Sequence, residues 1–203
     1  MSLASGVSVV VPVKDLLGTK SRLAPILDPG ARAGLTLYMM GHVLAAIGEA
    51  GVEDVCVVSP DRIVLNEAQR RGATPLLQES RGLNPALEEG RRRALEIGSS
   101  TLLVFPADLP LLDADDVLAV LRASEGKSVV VSPDGARSGT NALLTRPPDA
   151  LPFAFGPDSF EAHLEAARSR GLEARVCERP HLAFDLDTAG ELAHLKKSGA
   201  ARP

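Results

Sequence analysis

Residues 7–13 are almost unbroken valine. A strand covered by helices on both faces reads as such a continuous apolar run, whereas a half-exposed strand alternates. Farther on, Asp28 and Pro29 have the form of a helix N-cap followed by proline at the first helical position. Apolar residues then recur at helical spacing from Leu35 through Ile47, and Gly51 supplies a stop. The same reading gives strands over 55–58, 74–77, 101–105, 128–132, 142–145 and 173–177. It gives helices over 61–71, 84–97, 113–122, 158–170 and 188–197. Strand and helix taking turns predict a three-layer α/β/α fold with a mainly parallel sheet. No Pro/Ser-rich linker and no repeat divides the chain, so one domain over 1–203 is expected. Gly and Pro gather in loops at 133–139, 146–148 and 156–157. Ligands of open α/β sheets bind at the carboxyl ends of the strands, and the site is expected in such loops.

Composition narrows the class. Of the 203 residues, 45% are hydrophobic and 24% charged, an ordinary globular balance. Aromatics are only 3%, without Trp, so the core has to be built from Val, Leu and Ala. The net charge of −4 argues against nucleic acid as a partner. No apolar run approaches the roughly 20 residues of a membrane helix. The opening MSLASGVSVV has no basic stretch ahead of its apolar run, so a signal peptide is not expected. A cytoplasmic protein without a membrane partner is the expectation. Cys56 and Cys177 lack metal-ligand spacing and read as two reduced thiols, a disulfide between distant strands being the alternative.

Six short stretches carry candidate chemistry. In residues 11–24, Lys14, Lys20 and Arg22 accompany Gly18 and Ser21 after the first strand. Cations and backbone N–H groups in one loop suit a triphosphate, against the plainer reading of a solvated basic loop. The Walker pattern is absent. In 105–112, Asp108 is fixed between Pro106 and Pro110. A stiffly held carboxylate there suits a hard cation such as Mg2+. Helix capping is the rival role, but Asp113 is available for it. In 183–188, Asp185 and Asp187 are two apart, which in extended backbone puts both on one face and Leu186 on the other. Paired carboxylates repel unless a cation joins them. Capping of the last helix by Asp187 or Thr188 is the alternative. In 137–144 and 155–160, Thr140, Asn141, Gly156 and Ser159 would hold a second, smaller phosphate, Ser159 standing at a helix start. A hairpin turn and a plain N-cap explain each half equally well. In 81–87, Gly82 and Asn84 would offer an amide to a base edge, but an ordinary N-cap is the simpler reading of Asn84. His163 stands one turn after Ser159, within reach of the small-phosphate site. His42 and His194 read as structural or surface residues, and His181 has no assigned task.

Taken together, V-P-V-K with T-K-S-R-L-A, G-L-N-P-A-L, P-A-D-L-P-L-L, G-T-N-A-L-L, F-G-P-D-S-F-x-x-H and F-D-L-D-T resemble the 2-phospho-L-lactate guanylyltransferases of coenzyme F420 biosynthesis. That group includes phosphoenolpyruvate guanylyltransferases. The stretches run from residue 11 to 188 in the family's order. The resemblance implies a GT-A-like, Rossmann-like nucleotidyltransferase fold. It implies Mg2+ held by Asp108, Asp185 and Asp187, and GTP phosphates lined by Lys14, Lys20 and Arg22. It puts Asn84 near the nucleoside, and Thr140, Gly156 and Ser159 on the phosphate of a small three-carbon acid, with Asn141 beside them. The implied reaction transfers GMP from GTP to 2-phospho-L-lactate or phosphoenolpyruvate and releases pyrophosphate. The rivals are a molybdopterin-type guanylyltransferase, a sugar-phosphate cytidylyltransferase, or a nucleotide-binding domain without catalysis. The oligomeric state, homodimer included, is left open.

Overall fold

A computed structural model describes residues 3–197. The strands are β1 (Val7–Pro12), β2 (Asp54–Ser59), β3 (Thr74–Leu77), β4 (Thr101–Val104), β5 (Val129–Pro133), β6 (Thr140–Thr145) and β7 (Ala174–Val176). The helices are α1 (Pro29–Glu49), α2 (Arg62–Arg70), α3 (Leu83–Glu96), α4 (Ala114–Ala123), α5 (Ser159–Ser169) and α6 (Ala189–Lys197). One sheet takes all seven strands in the order β3-β2-β1-β4-β6-β5-β7. It is parallel except for β6, which runs against both β4 and β5.

The expected valine run becomes β1, near the middle of the sheet. Val7, Val9, Val11 and Val13 face one core with Leu103 and Phe105, against α1, α2 and α4. Val10, Cys56, Leu102 and Val104 face the other, under α3 and α5. Two covered faces explain why the strand shows no polar alternation. Helix α3 lies very close to β1: a Cβ on Gly90 would stand 2.7 Å from a Val10 methyl. Asp28 caps α1 by accepting from Ala31 N at 2.7 Å, with Pro29 at the first position. Gly51, at φ 81°, follows that helix in the left-handed conformation a non-glycine residue rarely adopts. A third apolar group, Leu23, Met39, Leu186, Leu192 and Leu195, fixes α6 against α1. Both cysteines are free thiols, and burial pushes the Cys56 thiol up to about 11. Among the described residues no helix is long and apolar enough to cross a membrane.

The antiparallel β6 revises where the loops fall. Its register pairs Leu102 with Thr145 and Val104 with Leu143. Thr140 and Asn141 thus lie at the carboxyl edge of the parallel strands although they open their own strand. The 146–148 loop, expected near the site, is at the opposite edge, where Arg146 bonds Thr101. Antiparallel pairing reverses which end of a strand faces a given edge.

Candidate active site

A cleft of about 580 Å³ opens at the carboxyl edge, between the loop after β1 and the loop after β3. Lys14, Lys20, Asp108, Phe155 and Asp187 line it, together with the 80–83 turn. The loop after β1 is anchored from several sides. Leu16 N donates to Asp61, whose other carboxylate oxygen caps α2 through Ile63 N. The Thr19 and Thr36 hydroxyls meet at 2.9 Å, and Arg32 donates to Thr19 O and Leu27 O. These contacts hold Lys20 in a left-handed conformation at φ 48°.

From there Lys20 Nζ reaches both Asp108 Oδ2, at 2.8 Å, and Asp187 Oδ1, at 2.7 Å. Burial acts to lower the Lys20 pKa, but the Asp108 and Asp187 carboxylates outweigh it and raise the value. Arg22 stands 3.9 Å from the other Asp187 oxygen and is largely solvated. Asp185 sits close enough to sense the same charges. Its burial, and next the charge of Asp108, raise its pKa against the opposing Asn141 amide. The backbone explains the meeting: Leu186 N donates to Asp108 O at 3.0 Å, and buried Leu186 anchors the segment between its two aspartates. Capping of α6 falls to Thr188, whose hydroxyl accepts from Glu191 N, while Glu191 accepts from the backbone of Asp187 and Thr188.

The trio is nevertheless looser than expected. Among the described residues the group whose ligand atoms all lie within 4.8 Å of one another is Asp113, Asp116 and His181. Those side chains are already engaged. Asp113 and Asp116 form the capping box of α4, buried Asp116 binds Arg179 at 2.7 Å, and His181 bonds both carboxylates. The cluster ties the 179–183 turn to α4, just ahead of Asp185. His181 and Arg179 thereby gain a task that the sequence did not disclose, because it depends on partners more than 60 positions away.

Thr140 and Asn141 stand at a β-bulge and face opposite sides, as successive strand residues do. Pro133 pairs with Thr140 and Ser132 with Ala142, leaving Asn141 as the extra residue. Asn141 Nδ2 donates to Leu182 O at 2.8 Å and lies 3.5 Å from Asp185. Thr140 turns the other way, its hydroxyl 3.0 Å from Nδ1 of buried His163. Gly156, at φ 138°, lets the chain turn into α5, which begins at buried Ser159. Three helix side chains hold the preceding segment: Arg91 donates to Leu151 O, His163 Nε2 accepts from Ala154 N, and Asn84 pairs with Phe155. Asn84 uses both ends of its amide, donating to Phe155 O and accepting from Phe155 N. That corrects the N-cap expectation for Asn84. The amide is occupied by a backbone, and the residue sits inside α3 behind Gly82 rather than capping it.

The family model described as "Guanylyl transferase CofC like" matches residues 7–201. This chain belongs to the CofC-like guanylyl transferase family. The phosphoenolpyruvate guanylyltransferase of Rubrobacter xylanophilus is 60% identical over 197 residues, 97% of this chain and 96% of the relative. That of Sphaerobacter thermophilus is 47% identical, over 92% and 90% of the two chains. Among solved structures, a putative nucleotide-diphospho-sugar transferase from Desulfovibrio desulfuricans G20 superposes at TM-score 0.79, with 16% identity, over 96% of this chain and 88% of its own. CMP:2-keto-3-deoxy-manno-octonic acid synthetase follows at TM-score 0.65, with 16% identity, over 96% and 98%. At 16% identity these two structures show a shared fold, and family membership makes the chain a nucleotidyltransferase.

Proposed function

We propose that the protein transfers GMP from GTP to phosphoenolpyruvate, releasing pyrophosphate, as a step toward coenzyme F420. The reading is carried by one combination: Lys20, Asp108 and Asp187 meet in a cleft of a chain 60% identical to a phosphoenolpyruvate guanylyltransferase. The related acid 2-phospho-L-lactate differs from phosphoenolpyruvate by a few atoms and is the alternative acceptor.

In the proposed reaction an oxygen of the acid's phosphate attacks the α-phosphorus of GTP. A new P–O–P bond forms as the bond to the β-phosphate breaks. The nucleophile is already anionic, so the chain has no proton to remove; it has to hold two polyanions together and in line. Lys14, Lys20 and Arg22 supply positive charge at the triphosphate. Thr140, Asn141, Gly156 and Ser159 form the subsite for the acid's phosphate. Asp108, Asp185 and Asp187 fit Mg2+ by donor chemistry, being hard oxygen ligands. The Lys20 ammonium already lies between two of them. Held by these carboxylates, Mg2+ would supply charge neutralisation at the phosphates. Asn84, through Phe155, orders the wall between the two substrates.

The test is pyrophosphate release with GTP, ATP or CTP against phosphoenolpyruvate, 2-phospho-L-lactate and 3-phosphoglycerate. GTP with phosphoenolpyruvate should give the highest kcat/KM. Equal rates with CTP, or binding of GTP without pyrophosphate release with any acid, would overturn the proposal.

A further inference from the structure

We propose that His163 is a positioning residue that turns the Thr140 hydroxyl hydrogen away from its own ring and toward the phosphate of the acid substrate. The inference rests on the phosphate-subsite reading given above. His163 is fully buried on α5, and both ring nitrogens have protein partners. It therefore meets no substrate and can serve neither as acid nor as base. Its Nε2 lies 3.1 Å from the backbone nitrogen of Ala154, a group that only donates. Nε2 must therefore be the unprotonated, accepting nitrogen. Burial agrees, because it pushes the imidazole down to about 4 and keeps it neutral. The single ring hydrogen then belongs to Nδ1, which lies 3.0 Å from Thr140 Oγ1 and also bonds the Ser159 backbone carbonyl.

A hydrogen on Nδ1 forbids the threonine hydroxyl from donating back to the ring. The hydroxyl oxygen can only accept from Nδ1–H, a hydrogen it shares with the Ser159 carbonyl, and keeps its own hydrogen for another acceptor. Phosphate oxygens only accept, so a phosphate subsite needs that hydrogen pointing outward before the substrate arrives. Successive strand residues point to opposite faces, so Thr140 faces His163 while Asn141 faces Asp185, and the two residues serve adjoining parts of one site. The signal lay in the sequence as the four-residue spacing of Ser159 and His163, which puts both on one side of α5.

Two substitutions separate the halves of the imidazole. The amide of His163→Asn reaches the Nδ1 position and donates to Thr140, but loses Ala154. The amide of His163→Gln reaches the Nε2 position and accepts from Ala154, but loses Thr140. The assay is steady-state pyrophosphate release with GTP and phosphoenolpyruvate. His163→Gln should raise the KM for phosphoenolpyruvate about tenfold, the loss of a well-aligned hydrogen bond to a charged group. KM for GTP and kcat should stay close to wild type, and His163→Asn should keep the wild-type KM for the acid. In a Thr140→Val background, His163→Gln should add nothing. Equal effects of Asn and Gln, or a Gln effect that persists in Thr140→Val, would overturn the inference. Should the His163 variants fail to fold, Thr140→Val carries the test: it should raise the acid KM while leaving the KM for GTP close to wild type, and an unchanged acid KM would overturn the inference. A wild-type protein that releases no pyrophosphate with any acid would remove the subsite reading itself, a distinguishable failure.

Discussion

Acidification should destabilise this protein through one buried ring. In the unfolded chain His163 titrates near 6.5, whereas burial lowers it to about 4 in the fold. The sign follows from proton counts. Between those values the unfolded chain binds a proton that the folded chain refuses, so stability falls as pH drops through the window. Above 6.5 both states are neutral and the effect vanishes. At 1.36 kcal/mol per pH unit, the full window corresponds to about 3 kcal/mol, and acidification to pH 5 to about 2 kcal/mol. The geometry supports the sign: a proton on Nε2 would face the Ala154 N–H at 3.1 Å, donor against donor. Against a total stability of about 5–15 kcal/mol, such a loss is readily measured. Urea titrations at pH 7.5 and pH 5.0, followed by circular dichroism, should be run on wild type and His163→Asn. The variant carries no titrating ring, so wild type should lose about 2 kcal/mol more than the variant between the two pH values. Parallel losses would refute a neutral, desolvated His163.

Other perturbations reach different parts of the molecule. Asp108→Asn should abolish most pyrophosphate release while leaving the circular dichroism spectrum unchanged; near-normal turnover would remove Asp108 from the proposed metal set. Asp61→Ala loses both the α2 cap and the bond to Leu16 N, so denaturant titration should show a loss of about 1–2 kcal/mol. Gly90→Ala forces a Cβ to 2.7 Å from Val10, and the overpacking, about 1–3 kcal/mol, should exceed the roughly 1 kcal/mol gained in helix propensity. Its melting temperature should fall, and a rise would contradict the packing. Burial acts to raise the Asp54 pKa, but hydrogen bonds from Arg93 and Ser8 outweigh it and hold the value below the ordinary 3.8. That contribution is complete above 3.8 and disappears at lower pH. Asp54→Asn should therefore flatten the acid limb of the stability curve below pH 4.

The aspartates divide what was legible from what was not. Asp108 stands out because two prolines stiffen its turn. Asp185 and Asp187 stand out because a two-residue period separates them from Leu186, and Leu186 is indeed buried between them. Nothing local reveals that Lys20, 88 residues before Asp108, would bridge it to Asp187. The contact that Asn84 makes was illegible for a similar reason. Its amide is satisfied by the backbone of Phe155, 71 positions away, and distant pairing has no signature in the residues around either partner.

Patterning alone determined which segments become strands and helices, that the central strands are buried on both faces, and where α1 starts and stops. These depend on local dihedral preference and on the period of apolar residues, and both are written in short windows of sequence. Tertiary structure alone decided that β6 runs antiparallel, and so brings Thr140 to the carboxyl edge and removes residues 146–148 from it. It also decided that a bulge falls at Thr140 and Asn141, and that His181 belongs to Asp113 and Asp116. Strand direction and register are settled by which neighbours are available to pair. That is a property of the assembled sheet, not of any one strand.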